Sequence, residues 1–253
     1  MPTFPKEHVA LVTGASLGIG AATAVELARQ GARVAVHYNS SREAAEGVAR
    51  QIADLGGEAK LFQADVSNAG EAKALAAKVL AEFGRIDTLV NNAGSLVDRK
   101  GFFEIDDAYW QKVMDINLTS VLWVSQPVAK HMAERGSGAI VNLGSIAGHN
   151  GGGPGAIAYS TSKAAITCLT KGMAKELIKS GIRVNAVNPG VILTPFHERF
   201  SSEDRMKAMV SQIPQGRAGT AEECAGVLAF LASPAAAHIV GESIEVNGGM
   251  LMD

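Results

Sequence analysis

Short apolar runs alternate along this chain with longer stretches in which apolar positions recur every three or four residues. The runs at 8–12, 33–37, 58–64, 86–90, 139–143, 182–187 and 243–246 predict seven strands, most of them apolar enough to be buried on both faces. Helical spacing between them predicts helices over 21–30, 42–55, 69–83, 107–134, 158–179, 202–212 and 221–232. Gly31 and the Gly56-Gly57 pair supply C-terminal stops, and Pro127 is expected to kink the long fourth helix. Strands that alternate with helices imply parallel βαβ units with right-handed crossovers. The expected fold is therefore α/β: a single doubly wound domain over 1–253, a seven-stranded mostly parallel sheet with helices on both faces.

Composition narrows the function classes. A chain with 47% hydrophobic and 19% charged residues has the make-up of a soluble globular enzyme. A net charge of -2 gives no electrostatic case for nucleic acid or an anionic membrane as partner. No apolar run approaches a membrane span, and the few apolar residues before Thr13 are too short for a secretory leader, so a cytoplasmic location is expected. Cys168 and Cys224 sit in helix-like contexts that predict buried thiols, with no disulfide framework and no metal site.

The chemistry concentrates at the ends of strands. Tyr159 and Lys163 are four apart, hence on one face of a helix, and a lysine charge there should draw the phenol down from its ordinary pKa near ~10. Such a phenol can exchange a proton with an alcohol or carbonyl oxygen. Ser145 follows the fifth strand, where open α/β sheets bind ligands. Between the first strand and its helix lies Thr13-Gly14-Ala15-Ser16-Leu17-Gly18-Ile19-Gly20, whose small residues let the backbone approach a pyrophosphate at a helix N-terminus. Asp65-Val66 falls past the third strand, Asn91-Asn92-Ala93-Gly94 ends the fourth, and Pro189-Gly190, with Ile192 and Thr194 beyond, ends the sixth. Asn117 is a polar residue on an apolar helix face and needs a partner.

Taken together, these motifs resemble the short-chain dehydrogenase/reductase family, within it most nearly the 3-oxoacyl-carrier-protein reductases, the sugar or polyol dehydrogenases and the naphthol reductases. The resemblance implies a Rossmann-type domain and an NAD(P)-dependent oxidoreductase acting on the CH–OH group of a small carbonyl or alcohol substrate. It implies Tyr159 as general acid and base, Lys163 on the nicotinamide ribose, Ser145 on the substrate oxygen, and Asn117 holding a relay water. It places Gly14, Ser16, Leu17, Gly18, Ile19 and Gly20 against the dinucleotide. Asp65, Val66, Asn91, Ala93, Gly94, Pro189, Gly190, Ile192 and Thr194 complete that contact. The alternative is a catalytically silent dinucleotide-binding protein, which usually lacks the tyrosine or lysine that this chain keeps.

Cofactor choice is read after the second strand. Tyr38 stands where an acid would select NAD(H), and Asn39, Ser40, Ser41 and Arg42 can hold a 2′-phosphate, so NADP(H) is favoured and NAD(H) is possible. The plain reading of Asn39–Ser41 is a helix N-cap. The segment 191–214, with Phe196, Phe200, Met206 and Met209, is expected to act as a lid. Ser145 and Tyr159 are 14 apart, one more than the family's usual spacing, with the extra residue in the loop 149–155. Apolar residues along the two long helices and at 250–252 predict a homotetramer closed by two-fold axes.

Overall fold

Alternation within each strand sends its side chains to opposite faces of one sheet. In β1 (Val9–Val12), Val9 and Leu11 enter one apolar cluster while Ala10 and Val12 enter another. The other strands of the computed structural model, which describes residues 3–252, are β2 (Arg33–Tyr38), β3 (Ala59–Gln63), β4 (Thr88–Asn91), β5 (Gly138–Leu143), β6 (Ile182–Pro189) and β7 (Ser243–Val246). Residues 1, 2 and 253 of the predicted 1–253 domain lie outside the described residues. The order is β3-β2-β1-β4-β5-β6-β7 and each neighbouring pair is parallel, which sharpens the mostly parallel expectation. After β3 the chain returns to the other side of β1 to lay down β4. The order therefore reverses between β1 and β4, and a crevice opens outside their carboxyl ends.

The helices are α1 (Gly18–Arg29), α2 (Arg42–Asp54), α3 (Ala69–Phe83), α4 (Asp107–Met114), α5 (Ser120–Arg135), α6 (Ala147–Asn150), α7 (Ile157–Leu177), α8 (Pro195–Phe200), α9 (Glu203–Val210) and α10 (Ala221–Ala232). On one face Leu27, Ile52 and Leu228 from α1, α2 and α10 pack over Val12, Val36 and Val187. On the other, Leu75, Val128 and Ala174 from α3, α5 and α7 pack over Leu11, Leu89 and Ile140. Leu11, Leu27, Leu75, Leu228 and Ile140 are fully buried, each contributing about 1.5–3 kcal/mol relative to exposure.

The predicted 107–134 helix is where the structure departs from expectation. Helical regularity breaks at the π turn Asp115–Thr119 between α4 and α5, while α5 runs on through Pro127. The cause is Asn117, whose buried amide Nδ2 donates to the Val113 carbonyl at 2.9 Å and so competes with the helical ladder. The cysteines also divide: Cys224 is buried as expected, but Cys168 is exposed on α7.

Candidate active site

The turn after β1 is locked to the turn after β4 through main-chain groups. Asn92 Nδ2 donates to the carbonyls of Thr13 at 2.9 Å and Gly14 at 3.0 Å. The N–H groups of Asn92 and Ala93 both donate to Thr13 Oγ1 at 3.0 Å. Gly14 (φ 63°) and Gly18 (φ 56°) take the left-handed conformation that glycine adopts without penalty. A Cβ at Gly20 would strike the Gly14 carbonyl and the Asn92 amide, so the helix can start this close only with glycine there. Sequence reasoning missed His37 in this arrangement. Its Nδ1 accepts the Gly14 N–H at 3.0 Å and its Nε2 meets the Ala64 carbonyl at 3.0 Å, which requires the neutral ring protonated on Nε2. Burial pushes its pKa down to about 4. The available signal was a histidine inside an apolar strand.

Ser145 lies two residues past β5, Tyr159 in the first turn of α7, and Lys163 one turn further on. Ser145 hydrogen-bonds the Tyr159 phenol and accepts the Ala147 N–H at 3.1 Å. Lys163, only 4% exposed, donates from Nζ to the Leu143 carbonyl at 2.7 Å and lies 5.7 Å from the centre of the Tyr159 ring. The expected lowering of the phenol pKa is not what this geometry gives. Burial pushes Tyr159 up to about 12, with the Ser145 hydrogen bond opposing, and burial pushes Lys163 down to about 8. The lysine's ammonium is directed at a main-chain carbonyl, and burial of the phenol dominates its shift.

Asn117 and Asn91 are built into the supporting structure. The Asn117 side chain donates to Ser95 O at 2.7 Å and accepts Ser95 N–H at 3.0 Å, besides its bond to Val113. Both N–H donors of that side chain are taken, and it holds the loop after β4. A Cβ at Gly94 would come within 2.8 Å of Asn117 Oδ1 and 3.4 Å of Lys163 Nζ, which explains glycine at that position. Asn91 Nδ2 donates to Ser125 Oγ and Asn142 Oδ1, both at 2.9 Å, and Asn142 continues to Thr170, tying β4, β5, α5 and α7 together.

At the ends of β2 and β3 the predicted residues separate by exposure. Tyr38 is 4% exposed and belongs to the core, so its ring is not presented to a ligand. Asn39 and Ser40 are exposed. Ser41 is the N-cap residue of α2 yet makes no side-chain capping bond, which leaves its hydroxyl available. Arg42 pairs with Glu46 at 2.9 Å on the surface. Asp65 Oδ1 accepts from the N–H and hydroxyl of Ser67, and Val66 is buried.

A cavity of about 710 Å³ opens in the crevice. It brings together Gly14, Leu17, Gly18 and Ile19 of the turn, Ala93 and Gly94 after β4, the group Ser145, Tyr159 and Lys163, and Pro189, Gly190, Ile192 and Thr194 after β6. Ser16, Gly20, Tyr38, Asn39, Ser40, Ser41, Arg42, Asp65, Val66, Asn91 and Asn117 lie outside its walls. A cradle whose closest approaches exclude a Cβ, at a helix N-terminus, fits the pyrophosphate of a dinucleotide.

Known proteins share this arrangement. A short-chain type dehydrogenase/reductase from Mycobacterium marinum superposes with a TM-score of 0.92 at 37% identity, over 97% of this chain and 96% of that one. A 3-oxoacyl-(acyl-carrier-protein) reductase of Synechocystis is 46% identical over 97% of both chains. The chain belongs to the short-chain dehydrogenase/reductase family. A further reductase of the family, FabG of Staphylococcus aureus strain Mu50, is 43% identical over 96% of this chain and 98% of its own. The matching family model, over residues 14–251, is described as enoyl-(acyl carrier protein) reductase. As a short-chain dehydrogenase/reductase the protein is an oxidoreductase acting between carbonyl and alcohol. Among the described residues no helix is long and apolar enough to cross a membrane.

Proposed function

We propose that the protein reduces a small carbonyl substrate with NADP(H), the unit 1–253 acting as one catalytic domain and 191–214 as its lid. The observation that carries this reading is the convergence of Ser145, Tyr159 and Lys163 on the cavity beside the glycine cradle. Ser145 holds the substrate oxygen and Tyr159 passes it a proton. The Lys163 ammonium, 3.4 Å from where a Gly94 side chain would begin, would hold the nicotinamide ribose. Asn117 positions the Ser95 backbone, and through it this wall of the site. The bound nicotinamide supplies hydride, and the protein supplies orientation and the proton. The Tyr159 phenol is protonated near neutral pH and so is in the form that donates to a carbonyl oxygen.

Asn39, Ser40 and the free Ser41 hydroxyl receive the 2′-phosphate, with Arg42 nearby. Substrates resemble the 3-oxoacyl groups named for its relatives or the carbonyl forms of sugars and polyols. Exposed Trp110, Leu122 and Ile157 on α4, α5 and α7 support assembly through those helices into a homotetramer. The test is a panel of ketones followed at the nicotinamide absorbance with NADPH and NADH in parallel. Consumption with a kcat/KM preference for NADPH is expected. No consumption with either nucleotide would return the protein to the silent class, and a preference for NADH would overturn the cofactor assignment.

A further inference from the structure

Arg99, in the loop after β4, and Arg205, on α9, meet at the mouth of the cavity. Arg99 Nη1 donates to the Pro154 carbonyl at 3.0 Å, and Arg205 Nη2 donates to the same oxygen at 3.2 Å. Arg99 Nε also donates to the Phe200 carbonyl at 2.8 Å. Two guanidinium groups sharing one neutral acceptor repel each other, and each keeps further N–H groups that the protein does not engage. Among the described residues neither is in an ion pair, and no aspartate or glutamate lines the cavity. Burial and the Arg205 charge together hold the Arg99 guanidinium below its ordinary range.

The arginines line the same cavity as Tyr159 and are linked to it through a chain of rings. The Phe196 ring is 5.7 Å from that of Tyr159 and 5.1 Å from that of Phe200, whose carbonyl Arg99 holds. Their shared acceptor, Pro154, belongs to the loop that carries the extra residue between Ser145 and Tyr159. Glycines at 153 and 155 leave the space that the two side chains occupy, since a Cβ at Gly155 would come within 2.9 Å of Arg99 Cβ.

The geometry points to an anion subsite in which Arg99 and Arg205 recognise a carboxylate or phosphate carried by the carbonyl substrate. Paired guanidinium forks match the spread oxygens of either anion, and an arriving negative charge relieves the repulsion between them. The inference rests on the carbonyl-reducing function proposed above and specifies its substrate class.

The experiment compares kcat/KM on acetoacetate, 4-oxopentanoate and 5-oxohexanoate with their methyl esters, and on dihydroxyacetone phosphate with dihydroxyacetone. A preference of about 10- to 100-fold for the charged member is expected in at least one pair, and the pair that shows it distinguishes carboxylate from phosphate. In Arg205→Met the charged-to-neutral ratio should fall toward one, and in Arg205→Glu it should reverse. General damage to α9 would lower both members alike and leave the ratio standing. A wild-type ratio near one in every pair, or a ratio unmoved by both substitutions, overturns the subsite. Should no pair turn over with either nucleotide, the carbonyl-reducing function fails separately. The subsite is then read from thermal protection by acetoacetate or inorganic phosphate, expected in the wild type and lost in Arg205→Glu. Absence of that protection overturns it as well.

Discussion

The two walls of the cavity are held by different physics. The wall formed by the turns after β1 and β4 is a closed set of main-chain bonds. Thr13 Oγ1, the Asn92 amide and the His37 ring each satisfy specific backbone groups at 2.9–3.0 Å. Losing any one leaves a polar group without its partner in a largely buried setting, at about 1–3 kcal/mol. The opposite wall, α8 and α9, contains no buried residue in either helix. Ring contacts around Phe196 hold it, with arginine bonds to two carbonyls and a small apolar cluster of Met206, Met209 and Val210 against Val191 and Ile213. Few buried contacts mean a low free energy of local opening. The firm wall suits the part of the ligand that never varies; the loose wall suits the part that must be selected, admitted and released.

The sharpest way to break this comparison is at the group between the walls. Tyr159→Phe should lower kcat by about 10²- to 10⁴-fold while dinucleotide binding, followed by fluorescence titration, survives. A variant that keeps most of its kcat would remove Tyr159 from the reaction.

Acid should attack the firm wall next. His37 is neutral when folded, with its pKa depressed to about 4 from an ordinary 6.5. Its contribution to stability is therefore present above pH 6.5 and lost as pH falls toward 4, on the order of 3 kcal/mol in all. His8, also pushed down to about 4, acts in the same direction. Tm followed from pH 7 to 4 should fall, and fall less steeply in His37→Gln; parallel curves would show that His37 is not responsible.

Gly20→Ala presses on the same wall without titration. Its Cβ collides with Gly14 O and Asn92, neither free to move, so a loss of about 1–3 kcal/mol is expected in chemical denaturation, together with weaker dinucleotide binding. Unchanged stability and affinity would mean that the turn is less rigid than its bonds imply.

The smallest effect belongs to the loose wall. Phe196→Ala should leave the unfolding free energy within about 0.5 kcal/mol of wild type, because the ring is not buried, yet raise KM for substrate several-fold. A large stability loss would make α8 part of the core and erase the contrast between the walls.

Much of this molecule was legible in the order of its residues. Apolar runs separated by helical periodicity dictate a parallel sheet covered on both faces, because only burial on both sides tolerates strands such as 9–12 and 139–143. The glycine spacing, Tyr159 with Lys163, and Ser145 after a strand are local patterns, and the structure gathers them at one cavity. What the sequence could not determine depends on contacts between distant segments. The phenol's pKa is raised by burial, a contribution that proximity at i and i+4 does not contain, so the lowering expected from Lys163 does not appear. Asn117, whose side chain bonds the Val113 carbonyl one turn back and Ser95, 22 residues away, sits at the break in the long helix, while α5 runs on through Pro127. Tyr38 left the ligand's path for the core, and His37 took a place under the glycine turn. Arg99 and Arg205 became a pair only when a loop, a short helix and the Pro154 carbonyl were folded to one point, since no periodicity along a chain encodes the meeting of residues more than 100 positions apart.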